Sequence, residues 1–223
     1  PLVIPGIAVS LGWVLLASPG SGFLAHWLEM IPVLGAVLPS IFSWGGLLFV
    51  FTLTLVPYSY LILQQAFKNL DPSLEEASLV SGASTLRTLR KVTLPALRPA
   101  LISAILLSAI VGVGEYAVAV VIGTTAGIDV LSVQAVRFVT ADYPPQLAKA
   151  AAVGLVLLIV TLGLWLVNLR VAGAGRHARL ATSRNPAAVI KLGAWRPVMR
   201  AFTIIYILCA TVLPFAALGL VSL

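Results

Sequence analysis

Two adjacent carboxylates, Glu75 and Glu76, open a polar stretch between two long apolar runs. Ala77, Ser78, Gly82, Ala83 and Ser84 follow, then the bases Arg87, Arg90 and Lys91, and the stretch closes on Val92-Thr93-Leu94-Pro95. No paired-carboxylate site, H-E-x-x-H or G-x-S-x-G signature accompanies it, so no catalytic residue is assigned. What these residues offer is contact. Asp71-Pro72 is a helix start, with Asp as N-cap and Pro at the first helical position. Glu75 and Glu76 then fall near the positive end of that helix's dipole. Gly82 ends the helix, because glycine tolerates a left-handed backbone. Ser84 caps a second short helix, Thr85 to about Lys91, whose bases lie in its last turns. Leu94-Pro95 is expected to stop it and redirect the chain. Two short helices with a glycine elbow suit a ball-and-socket contact. Ala77 and Gly82 leave room for a partner backbone, and Glu76 offers a charge to a basic or amide group.

The elements that must carry this stretch are membrane helices. Of 223 residues, 60% are hydrophobic and 9% charged, and the mean hydropathy is +1.08. A soluble domain is roughly half apolar and about a quarter charged. The formal charge is +7 and the pI about 10.1. In so apolar a chain such bases mark loops on one side of a membrane, and no basic stripe interleaved with aromatics points to nucleic acid. Crossing a bilayer takes about 20 apolar residues as helix. Five segments approach or reach that length: Pro1 to about Ala17, Trp44 to Ala66, Ala96 to Ile122, Leu147 to Leu169, and Val198 to the end. Pro57 should kink the second. The fold class is therefore all-α, a polytopic transmembrane helical bundle.

The loops alternate in charge. Residues 18–43 hold no Lys or Arg, and residues 123–146 hold Arg137 with Asp129 and Asp142. Lys68, Arg87, Arg90, Lys91 and Arg98 lie between the second and third segments or at the start of the third, and seven bases, from Arg170 to Arg200, between the fourth and fifth or at the start of the fifth. By this asymmetry loops 67–95 and 170–197 are cytoplasmic. Within residues 18–43 the apolar stretch Phe23 to Leu38 is too interrupted to span. It is expected as an interfacial helix, with Trp27 and Trp44 at headgroup level.

The other candidates are fewer. Cys209 is the one cysteine, so no intrachain disulfide and no cysteine-based metal site can form. His26 and His177 fit no ligand spacing. Gly112-Val113-Gly114-Glu115-Tyr116-Ala117 matches G-x-G-x-x-A, but lies inside an apolar helix with no preceding strand and is no dinucleotide site. Glu115 is the charge well inside a span, and an intramembrane acid is a functional hypothesis by default. At 1.5 Å per residue it lies about 28 Å from Ala96, near the outer end. It lines the translocation path with Tyr116, or it faces outer water or a helix partner.

Written as E-A-S-x3-G-x9-V-x-L-P, the polar stretch resembles the EAA loop of ABC-transporter permeases, E-A-A-x3-G-x9-I-x-L-P, with Ser78 and Val92 as departures. The resemblance implies a MetI-like permease of a binding-protein-dependent importer in a bacterial plasma membrane. It implies that the loop inserts into a cleft of a cytoplasmic ATPase subunit, one of a pair, through Glu75, Glu76, Ala77, Gly82, Ala83, Arg87, Arg90, Lys91, Leu94 and Pro95. No G-x4-G-K-[ST] loop is present, so ATP is expected on that separate chain and no cofactor on this one. A periplasmic or surface solute-binding protein is implied as a further partner. Residues 69–104, Pro57-Tyr58, V-G-E-Y and Tyr143-Pro144-Pro145 look like iron(III) permeases. Thiamine, sulfate, polyamine and phosphonate permeases carry near-identical loops, and no oxygen-ligand cluster here favours iron. Iron(III) permeases often fuse two halves. Residues 1–169 are thus read as a first half, truncated at its N-terminus, 170–197 as a basic linker, and 198–223 as the first span of a second half cut off at Leu223. An ion-coupled secondary transporter or channel is the competing class. It predicts charges deep in several spans and leaves the loop without a purpose.

Overall fold

The computed structural model describes residues 3–23, 40–141, 143–176 and 196–222. Every regular element among them is helical. In chain order they are α1 (Gly6–Ala17), α2 (Trp44–Lys68), α3 (Pro72–Val80), α4 (Thr85–Gly114), a separate π-helical turn (Ala119–Gly123), α5 (Leu131–Thr140), α6 (Leu147–Arg176) and α7 (Arg196–Ser222). Four of them, α2, α4, α6 and α7, are long and apolar enough to cross a membrane. The expected first span is shorter: α1 has 12 residues. The expected interfacial helix lies largely outside the described residues, as does most of the basic linker. That linker was expected to begin at residue 170, but α6 continues unbroken to Arg176.

The chain divides into two compact units. One comprises Pro1–Pro57, Val111–Val160 and Ala194–Leu223. Its core is built from helical stripes. Val9, Trp13 and Leu16 of α1 recur every three or four residues, as do Leu47, Val50 and Leu53 of α2, which puts each set on one face. Val118, Ile122, Ala210 and Ala217 join them. Trp13 and Phe49 meet edge to face with centroids 4.8 Å apart.

Within this unit α7 docks on α1 by close backbone approach. A Cβ added at Gly12 would lie 2.5 Å from the Cα of Pro214. With hydrocarbon on both sides there is no hydrophobic drive to join two helices, so small residues that permit contact must supply the association. Gly12→Leu is expected to destabilise the folded protein by about 1–3 kcal/mol, read as a lower melting temperature of the purified protein in detergent. An unchanged melting curve would show that α1 and α7 do not meet at Gly12.

Two further bonds hold α7 in this unit, one to α2 and one to α1. Pro57 has no N–H, which removes the ordinary helical donor to the Leu53 carbonyl four residues earlier. The Tyr206 hydroxyl donates to that carbonyl at 3.0 Å. The Trp13 indole N–H donates to the Cys209 carbonyl at 3.0 Å, inside a π-helical turn of α7, Leu208–Val212. Widened turns loosen the i→i−4 ladder and free backbone acceptors. In an apolar medium each orphaned carbonyl is costly, so both tryptophan and tyrosine act as partners for defects in neighbouring helices.

The second unit comprises Tyr58–Ile110 and Thr161–Gly193. Here the hydroxyls of Ser59 and Ser108 pair at 2.7 Å, tying α2 to α4. Leu97 and Ala104 are its buried apolar side chains on α4. It also contains the whole polar stretch.

Candidate functional site

The polar stretch folds largely as its caps dictate. Asp71 Oδ1 accepts the Ser73 N–H at 2.9 Å and Pro72 opens α3. The helix ends in a Schellman arrangement: the Ala83 N–H reaches Ser78 O at 3.1 Å, and the Gly82 N–H reaches Leu79 O at 2.9 Å. That closure needs a left-handed residue after the cap, and Gly82 has φ +81°. Ser84 then caps α4, its Oγ accepting the Arg87 N–H at 3.4 Å.

Leu94-Pro95 does not stop the second helix, contrary to the expectation from sequence. The chain runs helically from Thr85 to Gly114. A π-helical turn, Leu89–Thr93, precedes Leu94, whose N–H bonds back to Leu89 O. Proline at 95 lacks a donor and its ring would strike the Lys91 carbonyl of a regular helix. Widening the turn accommodates both defects without breaking the helix. The same Leu-Pro step follows the π-turn of α7, at Leu213-Pro214. Arg87, Arg90 and Lys91 therefore lie on the first turns of one long spanning helix, not on the last turns of a short one.

Hydrogen bonding separates the two carboxylates. Thr93 Oγ1 donates to Glu75 Oε1 at 2.7 Å. One turn along α3, the hydroxyls of Ser78 and Thr88 pair at 2.9 Å. Thr88 and Thr93 are buried. Positions 75 and 78 share a face of α3, as residues three apart do, and that face turns onto α4. Glu75 is half-buried there. Glu76 and Ala77 are exposed. So are Leu79, Val80 and Leu86, with Val80 88% exposed. Arg87, Arg90, Lys91 and Leu94 are exposed too, while Ala83 and Pro95 are half-buried. The outer surface of the elbow is thus an apolar tip, Val80 and Leu86, between one acid and several bases. Thr88, Thr93, Leu79, Val80 and Leu86 were not marked from sequence. A threonine bonded 18 residues from its partner leaves no local signal.

Glu115 and Tyr116 belong to the other unit. The third span was expected to run to Ile122, but α4 ends at Gly114 and Glu115 stands in the break that follows. The Ser132 hydroxyl of α5 donates to the Glu115 carbonyl at 3.1 Å. The Glu115 carboxylate faces the first turn of α1: a Cβ added at Gly6 would lie 3.0 Å from its Oε1. A carboxylate there meets the positive end of the helix. Tyr116 is 38% exposed. Among the described residues no three His, Cys, Asp or Glu side chains gather as a metal site.

Residues 1–176 match the model of the family described as "binding-protein-dependent transport system inner membrane component". The chain is similar to the ferric transport system permease protein FbpB of Actinobacillus pleuropneumoniae, with 30% identity over 75% of this chain and 24% of that protein. It is similar to the sulfate transport system permease protein CysT of Salmonella typhimurium, with 35% identity over 50% of this chain and 42% of the relative. The diacetylchitobiose uptake system permease protein NgcF of Streptomyces coelicolor shares 30% identity over 87% of this chain and 59% of its own length. The chain spans about a quarter of the length of the ferric-transport relatives it matches. No solved structure matches it. These relatives are transport permeases, carriers and not enzymes. With its four membrane-length helices and a family match over residues 1–176, the chain is a multi-pass membrane protein of the binding-protein-dependent transport system inner membrane component family.

Proposed function

We propose that the chain is the permease part of an ATP-driven importer, and that the elbow at Glu76–Pro95 is where it receives force from a cytoplasmic ATPase. The observation that carries this reading is the sorting of side chains at the elbow. Glu75, Ser78, Thr88 and Thr93 bond to one another inside. Glu76, Val80 and Leu86 stand exposed on the outside. The charge asymmetry of the loops supports a cytoplasmic side for this surface, the compartment that holds ATP. A solute-binding protein delivers cargo to the opposite face. ATP-driven closure of paired ATPase subunits displaces the elbow, and the spanning helices move as rigid bodies to open the path inward. Glu115 and Tyr116, at the break beyond α4, are proposed for the path. Iron(III) is the first cargo to test, on the similarity to ferric permeases. Sulfate and diacetylchitobiose follow, on the other relatives.

The test is a single cysteine at Ala83 in inverted membrane vesicles, with Cys209 replaced. Ala83 is preferable to Gly82, because a side chain at φ +81° would itself distort the elbow. Capture of an ATPase subunit is expected, and Glu76→Ala is expected to weaken it by about tenfold, the loss of about 1.4 kcal/mol from one charged contact. Absence of capture in the full-length, membrane-inserted protein would remove the importer reading and favour an ion-coupled carrier.

A further inference from the structure

Two features of the elbow serve no purpose in a simple docking surface. One is the inward carboxylate of Glu75, held by the buried hydroxyl of Thr93. The other is the π-turn of Leu89–Thr93, which sits between the two threonines that bond to α3. The geometry connects them. In a regular helix each residue turns about 100°, so residues five apart point about 140° away from one another. Thr88 and Thr93 are five apart, and in a regular helix they would not both meet one face of a neighbour. A turn closed by i→i+5 bonds holds more residues per turn and brings residues five apart back toward one side. The π-turn therefore brings both threonines onto the side that α3 occupies. Pro95 lies two residues beyond and disfavours the regular alternative, since its ring would strike the Lys91 carbonyl. On α3 the matching partners are Ser78 and Glu75, about 4.5 Å apart along the axis.

We propose that Thr93 and Glu75 are positioning residues. With the Ser78–Thr88 pair they lock α3 to the root of the spanning helix α4 at two heights, so that a push on the elbow reaches α4 and is not lost by swinging at Gly82. One attachment point would leave α3 free to rotate about it. Two, separated along both helices, remove that freedom. The Leu94-Pro95 step acts here by fixing the register of the second attachment. This assignment rests on the proposed function and adds a division of labour to it: Glu76 meets the partner, and Glu75 transmits what the partner does.

The test uses the full-length permease with its ATPase subunits in proteoliposomes, and requires no knowledge of the cargo. Cys209 is replaced and a probe cysteine is placed at Gly114, at the far end of α4, where an added Cβ has nothing within 4 Å. The readout is the change in labelling rate by a membrane-impermeant maleimide on adding ATP and vanadate. ATP hydrolysis and capture of the ATPase through Ala83→Cys are measured on parallel samples. Thr93→Val is expected to shrink the ATP-dependent change about fivefold or more, the scale of a lost coupling energy, while capture stays within about twofold. Thr93→Ser, which keeps the hydroxyl, is expected to restore it. Pro95→Ala is expected to shrink the ATP-dependent labelling change as Thr93→Val does, and reads the same strut if the valine variant does not fold. An undiminished response in Thr93→Val, with capture intact, overturns the strut alone. Loss of capture in a folded Thr93→Val overturns it too, since the bond would then serve docking. A parent that captures no ATPase overturns the importer reading and the strut with it.

Discussion

Valine at Gly82 is expected to lower ATP-driven uptake about tenfold or more, while asparagine at the same position keeps it within about twofold. The contrast isolates backbone conformation. A Cβ at Gly82 meets nothing within 4 Å, so neither substitution clashes with a neighbour. The φ of +81° is what matters. For ordinary L-residues the left-handed region costs about 1–2 kcal/mol, more for a β-branched one, whereas asparagine visits it readily. Each 1.4 kcal/mol corresponds to about a tenfold change in the population of the native elbow. The Schellman bonds from Gly82 and Ala83 break if the residue escapes to negative φ, and α3 then leaves α4. The measurement is uptake of whichever labelled solute the parent carries, with ferric ion, sulfate and diacetylchitobiose offered in turn. Full uptake by the valine variant would mean that the elbow's shape is not what the ATPase reads.

Glu115→Gln carries the second large effect. It is expected to reduce uptake about tenfold, with assembly and ATPase capture unchanged, as removal of an intramembrane charge on a transport path would. The structure gives this carboxylate a second occupation, because it faces the first turn of α1 at Gly6. A charge at a helix N-terminus stabilises it by about 0.3–1 kcal/mol. Melting of the purified protein separates the two roles. A path residue changes uptake and leaves the melting temperature alone. A helix partner lowers the melting temperature slightly and leaves uptake alone. Unchanged uptake in Glu115→Gln would withdraw Glu115 and Tyr116 from the path.

The elements that were legible in the sequence are those decided within a few residues. Asp71 caps α3 through Ser73, Ser84 caps α4 through Arg87, and Gly82 turns left-handed; each follows from side-chain chemistry at short range. The apolar runs announced α2, α4, α6 and α7 by length alone. Boundaries were less legible. Leu94-Pro95 reads as a stop, since proline removes a donor. It is in fact accommodated by a π-turn, because the apolar run behind it favours continuing a helix over exposing backbone to lipid. The end of the third span was placed too late for the opposite reason. Ala117–Ile122 is apolar, but Glu115 and Tyr116 stand in a break that hydropathy averages away.

The sequence by itself determined that this chain lives in a membrane, that its family is one of transport permeases, and that its polar loop is two capped helices meeting at a glycine. The first rests on composition, the second on the resemblance of the polar stretch to the EAA loop, and the third on contacts between near neighbours. Only the tertiary structure decided which of two adjacent glutamates faces outward. The answer hangs on Thr93, 18 residues away from Glu75. It alone seated Pro214 over Gly12 and brought the Trp13 indole to the carbonyl of Cys209, 196 residues distant. Such pairings depend on where whole helices come to rest. A carbonyl freed by a proline or a widened turn shows in sequence as a defect, and the donor that completes it is known only once the helices have packed.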